Sequence, residues 1–147
     1  MNERFETFTV LIAKINRNIK RIKNQEMAQY ELRSQHVSCL YYLYVTQGLT
    51  ATDLCERCDE DKASISRAIE YLEANGYVSC QSKSSKRYKS PLLLTEKGAE
   101  AGKRIADKID LVLECVSRAM SEGERVEFYR NLTKISDELA KVAENKL

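Results

Sequence analysis

The feature that most constrains the fold is a pair of helical stretches separated by a short acidic turn. Thr50-Ala51-Thr52-Asp53 matches a capping box and opens a helix over about 52–58, and Asp61 is a good N-cap for a second helix over about 62–74. Asn75-Gly76 closes the second helix. Its apolar residues at core spacing are Ile65, Ile69 and Leu72, and Leu54 and Cys58 lie on the inner face of the first helix. Two helices joined by so short a turn predict a helix-turn-helix.

A polar, basic segment with short apolar flanks follows the second helix. Residues 77–81 and 91–95 have the composition of two short strands, and we predict a β-hairpin with a long loop. The loop contains no acidic residue, and its basic and aromatic side chains are Lys83, Lys86, Arg87, Tyr88 and Lys89. Such a mixture suits phosphate contacts and the insertion of an arginine into a minor groove. Directly after a helix-turn-helix, the hairpin is predicted to be the wing of a winged helix.

The outer face of the second helix has the composition of a DNA recognition helix. A helix that enters a major groove with its N-terminal end needs small residues for close approach and Ser, Lys or Arg for phosphates and base edges. We predict DNA contacts by residues that do not face the core: Lys62, Ala63, Ser64, Ser66 and Arg67. Thr50 and Thr52, at the start of the preceding helix, are expected to contact phosphates. On a helix that stood alone, the same residues would indicate an ordinary solvated face.

Both ends of the chain carry narrow apolar stripes at helical spacing. The N-terminal stripe is Phe5, Phe8, Ile12, Ile15 and Ile19, and the C-terminal stripe is Phe128, Leu132, Ile135, Leu139 and Val142. Ser121-Glu122-Gly123-Glu124 matches a capping box for the C-terminal helix, and another long helix is predicted from Thr95 to about Ala119. Two such stripes indicate that the terminal helices pack together, in one subunit or across a dimer. The alternative is that each is an ordinary core helix.

The stretch Leu49–Gly98 resembles the DNA-binding domain of the MarR (multiple antibiotic resistance regulator) family. The matching motifs are Leu49-Thr50, Ser64-Ile65-Ser66-Arg67, Leu72-Glu73 with Gly76-Tyr77-Val78, and Leu94-Thr95-Glu96 with Gly98. The resemblance implies a mainly α fold with a small β-hairpin wing, a winged helix-turn-helix whose N- and C-terminal helices form a dimerisation domain. We assign residues 34–99 to DNA binding and residues 1–33 and 100–147 to dimerisation. Members of the family regulate genes in response to small ligands, oxidants or metals.

The wing departs from the family pattern in one respect. Family wings often carry an Asp-x-Arg motif before the return strand, in which the Asp holds the Arg in place. Residues 84–88 contain no acid. Arg87 is our candidate for the minor-groove arginine, with Tyr88 as its support.

Composition narrows the class of protein. The 147 residues carry a net charge of +2, in which the basic wing loop and five basic residues between Lys14 and Lys23 are balanced by an acidic remainder. No apolar run approaches the roughly 18 residues of a membrane span, and the first residues lack the apolar core of a signal peptide. The sequence therefore predicts a cytoplasmic, helix-rich protein without a membrane partner.

The five cysteines and the single histidine do not form a recognisable catalytic or metal site. Cys55-x-x-Cys58 lacks the second ligand pair that a structural zinc site needs, so we predict reduced thiols, no cofactor and no enzyme activity. Relatives that sense oxidants place a reactive cysteine in the first helix, and this chain has none before Cys39. A thiol-based regulator that uses Cys39, Cys80 or Cys115 stays open as an alternative.

The sequence thus predicts a homodimeric regulator, most simply a repressor, that binds a pseudo-palindromic operator in double-stranded DNA. Family members commonly bind effectors in a crevice beside the winged domain. The residues we expect there are Tyr30, His36, Tyr41 and Tyr42, and an aromatic lining suits a small aromatic or phenolic ligand. The competing class is a helical dimer that binds proteins and not DNA.

Overall fold

The computed structural model describes residues 2–81 and 89–145, with the side chains of residues 2, 3 and 5 excepted. Six α-helices and two strands lie in this part of the chain. They are α1 (Asn2–Met27), α2 (Ser34–Val45), α3 (Ala51–Cys58), α4 (Lys62–Ala74), β1 (Val78–Cys80), β2 (Leu92–Leu94), α5 (Glu96–Ser117) and α6 (Glu122–Glu144). A short 3-10 turn, Ala28–Tyr30, follows α1. The winged helix-turn-helix predicted from the sequence is confirmed.

The chain divides into two compact units, residues 1–106 and 107–147. The core of the first unit lies where α2, α3 and α4 meet the hairpin. Its most completely buried side chains are Cys39, Leu40, Leu54, Ile65 and Leu72. Leu54 and the predicted core stripe of α4 are thus buried as expected, whereas Cys58 is only half-buried.

The two strands form the predicted hairpin. They pair antiparallel, with Val78 opposite Leu94 and Cys80 opposite Leu92. The Leu92 amide donates to the Leu49 carbonyl at 2.9 Å, so the second strand also holds the segment that leads into α3. Strand β2 is therefore bonded both to β1 and to the segment that precedes α3.

The second unit contains the end of α5 and all of α6. The predicted capping box of α6 is present: the Glu124 amide donates to Ser121 Oγ at 3.2 Å, and the Ser121 amide donates to Glu124 Oε2 at 2.8 Å. No described residue of α6 is buried. Among the helices of 2–81 and 89–145, none combines the length and the apolar composition that a membrane-spanning segment requires.

Candidate nucleic-acid interface

Helix α3 begins at a fully formed capping box. The Asp53 amide donates to Thr50 Oγ1 at 3.2 Å, while the Thr50 amide and hydroxyl both donate to Asp53 Oδ2, at 2.8 and 3.0 Å. These hydrogen bonds lower the pKa of Asp53, since they favour its charged form. The Thr50 hydroxyl is thus engaged in the cap, and Thr52 on the first turn is exposed. The predicted phosphate contacts would come from this helix end, where backbone N–H groups attract anions.

The turn between α3 and α4 is set by the backbone of Asp59. This residue ends α3 in the left-handed conformation, with φ 50° and ψ 50°. The Glu60 amide then donates to the Cys55 carbonyl at 3.1 Å, so the last turn of α3 closes tightly. A short turn with fixed dihedral angles sets the angle at which α4 leaves α3.

Helix α4 starts at Asp61, as the sequence predicts, and its bounds are Lys62–Ala74. Asp61 Oδ1 accepts from the Ser64 amide at 2.7 Å, and this bond lowers the pKa of the exposed carboxyl. Arg67 Nη2 donates to Ser64 Oγ at 3.3 Å, and its positive charge also favours the ionised Asp61. Three residues on successive turns are therefore linked at the N-terminal end of the helix.

The outer face of α4 differs from the prediction at one position. Lys62, Ala63 and Arg67 are exposed and Ser66 is half-buried, so these four can meet a groove. Ser64 is buried, with 9% of its surface accessible, and the expectation that it lies on the outer face is wrong. The reason is the helical spacing, because Ser64 lies four and eight residues before the buried Ala68 and Leu72, on the same face of α4. Its hydroxyl accepts from Arg67. Ser64 orients Arg67 from beneath.

The base of the wing is fixed at several points. Tyr77 O accepts from the Thr95 amide at 3.1 Å, and Thr95 Oγ1 donates to Gly76 O at 2.6 Å. Lys97 Nζ donates to Asn75 O at 2.8 Å and stands 4.2 Å from the centroid of the Tyr77 ring. Lys89 is exposed at the foot of the loop. The other predicted wing residues, Lys83, Lys86, Arg87 and Tyr88, lie outside the described residues.

The terminal helices expose the apolar side chains predicted for dimerisation. The exposed residues among them are Ile12, Ile15, Ile19, Phe128, Ile135, Leu139 and Val142. Phe8 and Leu132 are half-buried, and the side chain of Phe5 lies outside the described residues. Half of the Ile15 surface is accessible, at 50%, as is 52% of Leu139. Apolar stripes of this kind on two long helices are typical of an interface that one chain leaves uncovered.

Each of the four aromatic residues predicted for an effector crevice contacts a neighbouring side chain. His36 stacks on Tyr71, with ring centroids 4.2 Å apart, and its Nδ1 accepts from the Arg33 amide at 3.0 Å. Burial and the neighbouring Arg33 charge lower the pKa of His36. Arg104 donates a hydrogen bond to the Tyr30 hydroxyl. His36 and Tyr30 are thus held by other parts of the fold.

Tyr41 and Tyr42 contact each other, with ring centroids 5.3 Å apart in an edge contact.

A cavity of about 290 Å³ lies between α1, α2 and the turn after α3. Its lining is polar and charged as well as apolar: Asn16, Ile19, Lys20, Lys23, Ser34, Gln35, Ser38, Cys58, Asp59, Glu60 and Ile65. None of the four predicted aromatic residues lines it.

The five cysteines, predicted to be reduced, form no disulfide in the structure. The sequence missed one relationship among them, since the thiol of Cys39 in α2 is hydrogen-bonded to that of Cys58 in α3. Nothing in the spacing of two residues on different helices signals this contact. Within residues 2–81 and 89–145, no three His, Cys, Asp or Glu side chains are grouped as metal ligands would be.

The sequence is similar to those of known transcription regulators. The sequence model of the MarR family matches residues 30–87, which run from the end of the 3-10 turn into the wing. The HTH-type transcriptional regulator BilQ of Clostridioides difficile (strain CD3) is 23% identical over 136 residues, which is 92% of each chain.

Two solved structures show the same fold over most of the chain. The S. aureus MepR–DNA complex superposes with a TM-score of 0.80 at 22% identity, covering 90% of this chain and 97% of MepR. S. aureus MarR in complex with salicylate and kanamycin gives a TM-score of 0.79 at 16% identity, covering 95% of this chain and 94% of that one. At sequence identities of 22% and 16%, the similarity shows a shared fold.

Proposed function

We propose that this chain, whose residues 30–87 match the sequence model of the MarR family, is a transcription regulator of that family that binds a pseudo-palindromic operator as a homodimer and represses the genes beside it. The observation that carries this proposal is the exposed N-terminal end of α4. There Lys62, Ala63 and Arg67 project from a helix whose angle is fixed by the Asp59 turn and whose first turn is capped by Asp61. This is the arrangement that a recognition helix needs in a major groove.

Arg67 is the residue we assign to base recognition. A guanidinium reads guanine through two parallel hydrogen bonds, which require a fixed orientation of its plane. The Ser64 hydroxyl, itself buried, accepts from Arg67 and limits the orientations that the side chain can sample. Lys62 and Ser66 would contact neighbouring bases and phosphates, and Ala63 would permit close approach.

The wing is assigned to the backbone and the adjacent minor groove. Lys83, Lys86, Arg87 and Lys89 would supply phosphate contacts, and Arg87, supported by Tyr88, would enter the minor groove. The fixed base of the wing supports this role, because the two strands that flank the basic loop pair with each other and Leu92 is bonded to Leu49, just before α3.

The homodimer is supported by the exposed apolar side chains of α1 and α6. We assign dimerisation to residues 1–33 and 100–147 and DNA binding to residues 34–99. Two copies would place their recognition helices in successive major grooves, about 34–36 Å apart, on one side of the duplex. The operator would then mirror the two-fold symmetry of the protein.

We further propose that a small aromatic or phenolic effector modulates the dimer in the cytoplasm. The solved structure of S. aureus MarR with salicylate, a phenolic ligand, supports this class of effector. An effector acts only if it binds one spacing of the two winged domains better than the other. Tyr30, His36, Tyr41 and Tyr42 stay our candidates for the aromatic contacts.

The experiment that tests the proposal is selection of bound fragments from a random library and from promoter DNA, at low and at high salt. We expect enrichment of an inverted repeat whose half-sites lie one helical turn apart, with affinity that falls steeply as salt increases. Recovery of no DNA at low salt would exclude the proposal and favour a protein-binding helical dimer. Recovery of fragments without a shared repeat would exclude sequence-specific regulation.

A further inference from the structure

The amine of Lys23 lies at the wall of the cavity between α1, α2 and the turn after α3. Lys23 is half-buried and lines this cavity of about 290 Å³, and its Nζ donates to Ser38 Oγ at 3.0 Å. The Ser38 hydroxyl donates in turn to the Ser34 carbonyl at 3.1 Å. A neutral hydroxyl therefore holds the amine, and through it α1 is bonded to α2.

The charges around Lys23 favour its neutral form. Within residues 2–81 and 89–145, no carboxylate forms an ion pair with Lys23. Lys20, which also lines the cavity, adds a like charge on the same helix. Burial lowers the pKa of Lys23 and the charge of Lys20 lowers it further, whereas Cys58 acts in the opposite direction. Lys23 thus has a larger neutral, nucleophilic fraction than an exposed lysine, which is the condition for forming Schiff bases.

The other charges of the cavity indicate what kind of molecule fits beside this amine. Lys20 and Lys23 are three residues apart on one helix, which places their Cβ atoms about 5–6 Å from each other. A ligand that brings a carbonyl to Lys23 and a carboxylate to Lys20 must therefore carry the two groups close together, as a 2-oxo acid does. Asp59 and Glu60 also line the cavity and would repel a second carboxylate. These charges favour a small monocarboxylate.

We propose that Lys23 captures a small 2-oxo acid as an imine, with the carboxylate of the ligand paired to Lys20. Lys23 Nζ attacks the carbonyl carbon, and one N–H proton moves to the carbonyl oxygen to give a carbinolamine. The C–O bond then breaks as the nitrogen lone pair forms the C=N bond, and hydroxide leaves as water with the second N–H proton. Amine and oxo acid thus give imine and water, without an oxidant or a reductant. The reaction requires neither DNA nor a second copy of the chain.

The test uses the full-length protein, sodium glyoxylate at limiting concentration and sodium cyanoborohydride, which reduces the imine to a stable carboxymethyl amine. Trypsin does not cleave after a modified lysine, so reaction at Lys23 appears as the peptide 22–33. Lys14 is the internal reference, because it is exposed on the same helix and does not line the cavity. We expect the rate at Lys23 to exceed the rate at Lys14 by about tenfold or more. Comparable rates at the two lysines would overturn the proposal.

Propanal, an aldehyde without a carboxylate, tests the role of Lys20. The preference for glyoxylate is the rate at Lys23 relative to Lys14 with glyoxylate, divided by the same ratio with propanal. It should be clear in the wild type and lost in Lys20→Gln, and a change in the nucleophilicity of Lys23 cancels from it. Arg17→Gln is the matched control, since it removes one positive charge from an exposed position of α1 outside the cavity lining and should keep the preference. A preference that persists in Lys20→Gln would overturn the pairing with Lys20.

Lys23→Arg keeps the positive charge but removes the nucleophilic amine. The fast phase of labelling should disappear from the whole chain, while labelling at Lys14 stays unchanged. A fast-labelled group that persists in Lys23→Arg would overturn the proposal, because it would assign the reaction to another amine. The wild-type comparison of Lys23 with Lys14 is made within one chain, so it does not depend on the folding of any variant.

Discussion

Gly98 of α5 lies directly against the backbone carbonyl of Tyr77, at the start of the wing. A β-carbon on Gly98 would overlap Tyr77 O and would stand 3.1 Å from Leu94 Cδ2. A glycine weakens the first turns of a helix, but here its missing side chain lets α5 approach the hairpin. Gly98 also donates its amide to Thr95 Oγ1 at 3.1 Å.

Gly98→Ala should destabilise the protein by about 1–3 kcal/mol, because the atom it must displace belongs to the backbone and cannot turn aside. Gly123→Ala is the matched control, since nothing lies within 4 Å of a β-carbon on Gly123. Alanine in that first turn of α6 should leave stability unchanged or raise it by up to about 1 kcal/mol. Urea unfolding at one protein concentration measures the free energy of unfolding of both variants. Equal changes in the two would show that the close approach of Gly98 to Tyr77 does not determine stability.

Arg67→Ala should relax operator specificity and cost about 1–3 kcal/mol of binding free energy. Lys86→Ala should weaken binding similarly on all sequences and lower the slope of log K against log salt by about 1. Mobility shifts on the selected operator and on a scrambled duplex, at several salt concentrations, separate the two effects. Unchanged operator affinity in both variants would contradict the assignment of α4 and the wing.

A change in pH should affect stability through His36. Burial lowers its pKa in the folded state, so below about 6.5 the unfolded chain binds more protons than the folded one. Stability should therefore decrease as pH falls from 7 to 5, with a slope of at most about 1.4 kcal/mol per pH unit for one proton.

His36→Gln is the matched variant for this measurement. A glutamine oxygen can accept from the Arg33 amide as Nδ1 does, yet it does not titrate. Because His36 is the only histidine of the chain, the variant should show a flat stability between pH 5.5 and 7. A slope equal to that of the wild type would assign the titration to another group.

Ile15→Asp should shift the proposed dimer toward monomer. Each isoleucine side chain buried on association contributes about 1.5–3 kcal/mol, and a carboxylate in its place would be desolvated without a partner. Asn18→Asp adds the same charge to the same helix at an exposed polar position and should leave association unchanged. Sedimentation equilibrium measures the dissociation constant of each variant. Equal dissociation constants for the two would show that the interface does not include Ile15.

Local signals account for what the sequence could predict. Asp61 before a helical stretch and Asn75-Gly76 after it define α4 residue by residue, and the two apolar segments around a polar loop define the hairpin. The burial of Ser64 has a signal that its polar side chain conceals, since Ser64 lies four and eight residues before the buried Ala68 and Leu72. The contact of Cys39 with Cys58 depends on how two helices cross, which no short pattern encodes.

The hydrogen bond from Leu92 to Leu49 has a mechanical consequence. Together with the Thr95–Tyr77 bond it fastens the outer strand to both ends of the helix-turn-helix, so the wing cannot swing away from α4 without breaking backbone hydrogen bonds. In the proposed dimer, each winged helix-turn-helix would then contact the duplex as one rigid unit. A signal would need to change only the distance between the two units to release the DNA.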